Sequence, residues 1–158
     1  MDNWKMPPKA KFYEALGAVV DGRVKLVGKC KAEVQSSDRS KTYVLEWSTD
    51  RKQITSNDNA SYWQGYVGYP IISLLLKLGL LEYDAELALP LAGVPWKALN
   101  ERHRRNYDKA VAEALAGTDP AQVLALANYV QELAVALAAL GLQRLPSSAK
   151  PPTSSVGR

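Results

Sequence analysis

The sequence predicts an α+β fold: a small antiparallel β-sheet packed with helices, followed by a C-terminal leucine-heptad helix. Apolar and polar residues alternate with period two from Arg23 to Val34, and aromatic and β-branched residues cluster from Lys41 to Ser48. From Ser61 onward the apolar spacing becomes helical. Finally, Val123, Val130 and Leu137 recur at every seventh position, as do Leu126, Leu133 and Leu140.

A chain of 158 residues is long enough for one sizeable core with an appendage. Its 47% apolar and 23% charged content is that of a globular protein. The net charge of +4 is unevenly placed: residues 1 to 31 carry seven basic side chains against three acidic ones, an excess as large as the whole chain's. That asymmetry favours a polyanionic partner, although a merely solvated charged face gives the same count. One cysteine, Cys30, excludes an internal disulfide framework and offers no metal cluster. The opening MDNWKMPPKAK lacks the apolar segment of a signal peptide, so a cytoplasmic location is expected.

Taken in order, Pro7 and Pro8 precede a helix in KAKFYEALGAVVDG, where Phe12, Leu16 and Val19 or Val20 share a face and Gly22 ends it. RVKLVGKCKAEV reads as one strand. Val24, Leu26, Cys30, Ala32 and Val34 form its apolar face; Arg23, Lys25, Lys29 and Lys31 form its basic face. QSSDRS is a polar turn, KTYVLEWS a second strand, and TDRKQITSN a further turn and strand. Ser61 and Gln64 fit a capping box opening a helix that carries Tyr62, Tyr66 and Tyr69 on one side. Gly65 and Gly68 leave room there for another backbone or a ligand. Pro70 restarts or kinks that helix, and IISLLLKLGLL is a buried core helix too short to span a bilayer. Beyond the connector EYDAELALPLAG, Pro95 opens a helix with Trp96, Leu99, His103, Tyr107, Ala110 and Ala114 along one stripe.

Asp119 and Pro120 open the last helix. Valine or leucine at a and leucine at every d favour a two-stranded coil, which makes Val123, Leu126, Val130, Leu133, Leu137 and Leu140 the expected dimerisation residues. Its flanks (Ala127, Tyr129, Ala134, Ala136) are apolar too, so it needs company from its own domain or from a second chain. Glu132, amid Gln122, Asn128 and Gln131, argues against a membrane anchor. The Pro/Ser-rich end reads as disordered. The expected organisation is thus an α+β domain over residues 1–117, a dimerisation helix over 118–144 and a tail over 145–158.

Little in the chain suggests catalysis. His103 sits on an apolar stripe, and Cys30 falls on an apolar strand face, where it behaves as a small buried hydrophobe. Phosphate loops, nucleophile elbows and metal-ligand spacings are missing. Asn57, Asp58 and Asn59 fit turn and helix-cap duty better than a cation site. No catalytic residue, no cofactor and no metal are expected.

Binding is a better match. Single strands of nucleic acid need cations along the backbone and rings on which bases stack. The basic strand face, the ringed second strand, the cluster SNDNASYWQGYVGYP and the segment HRRNYDK supply both. Alternation favours the register in which Tyr43, Leu45 and Trp47 share the face of Val24 and Leu26, with Glu46 beside the lysines. The other register would make one aromatic and basic platform. The candidate contacts are Lys25, Lys29 and Lys31, with Arg39 and Arg51 at the hairpin ends, and Tyr43, Trp47, Tyr62 and Trp63 for stacking. Tyr66 and Tyr69 are assigned to the core.

A helix, a small sheet with a basic face, a helical half beginning SNDNASYWQGYVGYPII and a final leucine-heptad helix together resemble the ThermoDBP family over residues 10 to 142. Those are single-stranded DNA-binding proteins of hyperthermophilic archaea. The resemblance implies sequence-independent binding and protection of single-stranded DNA in replication and repair, through a basic and aromatic cleft. It also implies a homodimer or higher assembly through the C-terminal helix; that no membrane partner is expected follows from Glu132 and its polar neighbours. The tail lacks an acidic tip of the kind that recruits partners to bacterial single-strand binders. RNA binding, or a non-catalytic oligomeric scaffold, are the alternatives.

Overall fold

Sheet and helices segregate along the chain as the change of period requires, giving an α+β fold. The computed structural model describes residues 3–147 and 149–152. Helix α1 (Ala10–Val20) buries Phe12, Ala15 and Leu16 on its inner face, and Gly22, at φ 66°, turns the chain into the sheet. Strands β1 (Val24–Gly28), β2 (Lys31–Gln35), β3 (Thr42–Trp47) and β4 (Gln53–Ser56) form an antiparallel meander.

RVKLVGKCKAEV is therefore a hairpin and not one strand. Val24 faces Val34 and Leu26 faces Ala32. Directly opposed residues share a face, and here each pair is even-numbered, so alternation passes through the turn without a break. The register slips only between Leu26 and Gly28, at a bulge that sets up the turn at Lys29 and Cys30.

Across the next ladder Val34 faces Tyr43 and Ala32 faces Leu45. Tyr43, Leu45 and Trp47 thus lie on the core side, and Lys25 and Lys31 point from the other side. There Lys25 is opposite Glu33, and Lys31 is opposite Glu46. One platform of these rings and lysines is geometrically excluded. Trp47 is 8% exposed and belongs to the core, so it offers no stacking surface.

The cluster at residues 56 to 70 does not make one helix. Ala60–Gln64 is a single π-helical turn, closed by Gly65 at φ 71°, and α2 (Tyr69–Lys77) starts afresh. The cap is supplied by Asp58: one carboxylate oxygen accepts from the Ser61 amide (3.1 Å) and the other from the Ser56 hydroxyl. The space left by Gly68 is filled by the chain itself, since a Cβ there would lie 2.3 Å from Asp58 Oδ2. Helix α2 is buried from Pro70 to Leu76 and packs on α1 and the sheet.

Helix α3 (Ala85–Ala88) and a 3-10 turn (Leu89–Leu91) lead to α4 (Trp96–Arg102) and α5 (Tyr107–Ala114). The long helix expected there is broken at an elbow where Arg104 (φ 52°) and Arg105 (φ 65°) are both left-handed. Glu113 of α5 holds that elbow shut, its carboxylate meeting Arg102 Nη1 at 2.6 Å and His103 Nε2 at 3.0 Å.

Helix α6 (Pro120–Leu140) corrects the expected dimer seam. Leu126 is 0% exposed, Val130, Leu133 and Leu137 are buried, and Val123 and Leu140 pack against the same core as α1 and α2. The heptad stripe satisfies its own chain, and a 21-residue helix is too short for a 3.5-residue seam and a 3.6-residue core face to diverge much. Tyr129 adds a polar stitch, its hydroxyl donating to Glu82 O (2.7 Å) and accepting from the Asp84 amide (2.9 Å). By length and composition α6 also reaches what a bilayer span needs, with this stripe committed to the protein interior.

The chain then returns to the sheet. Gly141, at φ 58°, ends α6, and a short strand, β5 (Gln143–Arg144), pairs in parallel with β4. Leu145 N–H donates to Ile54 O (3.0 Å), and Asn57 Nδ2 donates to Lys150 O (3.0 Å). The first part of the expected loose tail is thus docked; residues 148 and 153–158 lie outside the described residues.

Candidate functional site

A cleft of about 500 Å³ opens between the core side of the sheet, α1 and the α4–α5 elbow. Lys11 and Glu14 enter it from α1, and Arg23 from the residue before β1. Ser36, Ser37 and Lys41 come from the β2–β3 turn, and Tyr43 from β3. Trp96, Lys97, Asn100 and Glu101 on α4, with Arg104, Arg105 and Tyr107 beyond it, form the far wall. Six cations thus face two carboxylates around one cavity.

Arg23 defines the floor. Its period-two position assigns it to the outer lysine face, but its N–H bonds to Ala18 O (2.9 Å) at the end of α1, and the side chain is drawn inward to 3% exposure. Nη1 donates to Gln35 O at 2.8 Å, Nε stands 3.7 Å from Asp21, and neither Nε nor Nη2 has a hydrogen-bond partner. A buried guanidinium with donors unspent is costly unless an anion reaches it. Glu14 is committed to Lys11 (3.0 Å) and the Asn100 amide (3.2 Å), and burial pushes its carboxyl above the usual carboxylate range.

The walls are ordered by local bonds. Asp38 gathers the turn, accepting from Ser40 Oγ (2.6 Å), Ser40 N–H (2.9 Å) and Ser36 Oγ (2.9 Å) and pairing with Lys97 at 3.3 Å. Those donors, Ser40 first, hold its carboxyl far below the usual range. Tyr43 meets Tyr69 edge-on at 6.3 Å between centroids, and burial pushes its phenol up to about 12, so it stays a neutral ring and a donor. Lys11 lies 4.3 Å above the Tyr107 ring. Lys41, Arg104 and Arg105 carry no ion pair among the described residues. Two adjacent left-handed arginines cost about 1–3 kcal/mol each, strain of the kind that collects at functional sites.

The sequence-derived site residues are scattered by this geometry. Tyr43 is in the cleft. Lys25 and Lys31 are exposed on the opposite side of the sheet, and Lys29 is exposed at the β1–β2 turn. Arg39 is turned to structural work, donating to Gln35 Oε1 (2.5 Å) and Asp21 O (3.0 Å), and Arg51 sits exposed at the β3–β4 turn. Tyr62 and Trp63 lie outside the cleft and line a separate groove. The cleft's other cations were missed, except that HRRNYDK flagged the elbow.

Residues 4–143 match the model of one family, described as "uncharacterised conserved protein UCP014422". The chain belongs to that family. The UCP014422 match takes in the cleft and α6 and ends at Gln143, the first residue of β5. No curated protein and no solved structure matches the chain.

Proposed function

We propose that the chain binds single-stranded nucleic acid without sequence preference, single-stranded DNA first among the candidates, and that the α1–sheet–elbow cleft is the binding site. The observation that carries this reading is the meeting of unspent cationic donors (Arg23, Lys41, Arg104, Arg105) with half-buried rings (Tyr43, Tyr69, Tyr107) in one cavity. Cations answer phosphates and rings answer bases, and neither depends on base identity. The layout likeness to the ThermoDBP family points the same way. No catalytic step is assigned, and a cytoplasmic setting fits the role.

Fluorescence anisotropy with labelled strands of about twenty nucleotides, as DNA, RNA and duplex, tests it. Both single-stranded forms or one of them should bind tightly and weaken with salt, with duplex well behind. The DNA-to-RNA ratio then fixes the sugar. Equal affinity for duplex, or no binding at low salt, would overturn the proposal.

A further inference from the structure

Three of the four tryptophans are buried, and Trp63 is 69% exposed. A ring of that size without a packing role stands out, and here the backbone is arranged to present it. The turn Ala60–Gln64 is π-helical, a rare geometry that is frequent at functional sites. Tyr62 stands edge-on to Trp63, with centroids 4.6 Å apart and planes at 80°, bracing the indole and leaving it open to solvent.

Beside these rings runs a second groove of about 650 Å³, walled by Thr55, Ser56, Tyr62 and Trp63 on one side and by Arg144 to Ser147 on the other. Its second wall is held in place by the β5–β4 pairing and by the Leu145 and Asn57 bonds. Arg144 lies 4.9 Å from the Trp4 ring, and Gly65, whose φ of 71° suits glycine, runs beside its guanidinium. Arg144 has no ion pair among the described residues, and no acidic residue among them lines the groove. The cleft and this groove adjoin one segment: Asn59 lines the first, Ser56 and Tyr62 the second. The one carboxylate on that ridge, Asp58, is buried and hydrogen-bonded within it, so it presents little charge to a strand passing over.

We infer that the groove is a second subsite for the same bound strand, which leaves the cleft past Asn59, stacks a base on Trp63 and sets a phosphate against Arg144. This inference rests on the proposed function and adds to it a length requirement: a strand that only fills the cleft gains nothing from Trp63. Base stacking on an exposed ring is insensitive to sequence, in keeping with the cleft.

The test is anisotropy with strands of about four and about sixteen nucleotides against the wild type, Trp63→Ala, Trp63→Phe and Arg105→Glu. Trp63→Ala should weaken the long strand by about tenfold or more and leave the short one unchanged, with Trp63→Phe recovering much of the loss. Arg105→Glu should weaken both lengths. If Trp63→Ala spares both lengths, or weakens both equally, the second subsite is wrong while the Arg105→Glu loss keeps the cleft. If the wild type binds neither length, subsite and cleft fail together. Trp63 is exposed, so its variants fold, and unfolding curves matching the wild type verify that.

Discussion

Replacing Leu126 by alanine removes a side chain that α6 buries completely against its own chain. Truncating a fully buried leucine costs the lost transfer energy plus the cavity left behind, about 3–4 kcal/mol for a site that relaxes poorly. In a chain of 158 residues each kcal/mol moves the midpoint by about 2–4 °C, so a fall of roughly 6–16 °C is expected. Leu124, two positions away and 63% exposed, is the internal control, and its alanine variant should stay within about 0.5 kcal/mol of wild type. The assay is thermal unfolding by circular dichroism at protein concentrations about a hundredfold apart, beside sedimentation of each variant. A Leu126→Ala protein that melts at the wild-type temperature but no longer self-associates would refute the assignment of the heptad stripe to the core.

Three further outcomes follow from the site. Asp38 has a folded-state pKa below its unfolded value near 3.9, so its contribution is present above about pH 4 and is lost as pH falls. Asp38→Asn should therefore lower the wild-type midpoint near neutral pH and flatten its decline between about pH 4 and pH 2, as read in melts across that range. Arg104→Gly or Arg105→Gly should leave stability equal or raise it by up to about 1 kcal/mol, since glycine accepts the left-handed backbone, while weakening oligonucleotide binding. Gly68→Ala drives a methyl group into Asp58 and Ser61 and should cost at least about 2 kcal/mol by denaturant titration.

Much of the fold was legible because its signals are local. The meander, α1, α2 and α6 all follow from period, proline and glycine, and Asn57 and Asp58 take the capping and bracing roles their side chains favour. Misreadings arose where two structures share one pattern. An even-numbered register hides a hairpin inside a continuous alternation, as at Lys29–Cys30. A leucine heptad of only three repeats fits its own core as well as a partner. The elbow left no glycine or proline to mark it, because Arg104 and Arg105 take left-handed conformations that their side chains disfavour. The cleft was least legible, since α1, the residue before β1, the β2–β3 turn and the elbow each give it only a few side chains, and tertiary packing alone brings Lys11, Arg23, Lys41 and Arg105 together.

The central claim is that the cleft, and not the outer lysine face of the sheet, receives the nucleic acid. Two charge-reversal pairs separate them directly: Arg104→Glu with Arg105→Glu in the cleft, and Lys25→Glu with Lys31→Glu on the outer face. Anisotropy titration of each with one labelled single strand, at one low salt concentration, gives the comparison. The cleft pair should lose at least about tenfold in affinity, with the outer pair within about threefold of wild type. Loss confined to the outer pair, with the cleft pair binding as wild type, would contradict the account.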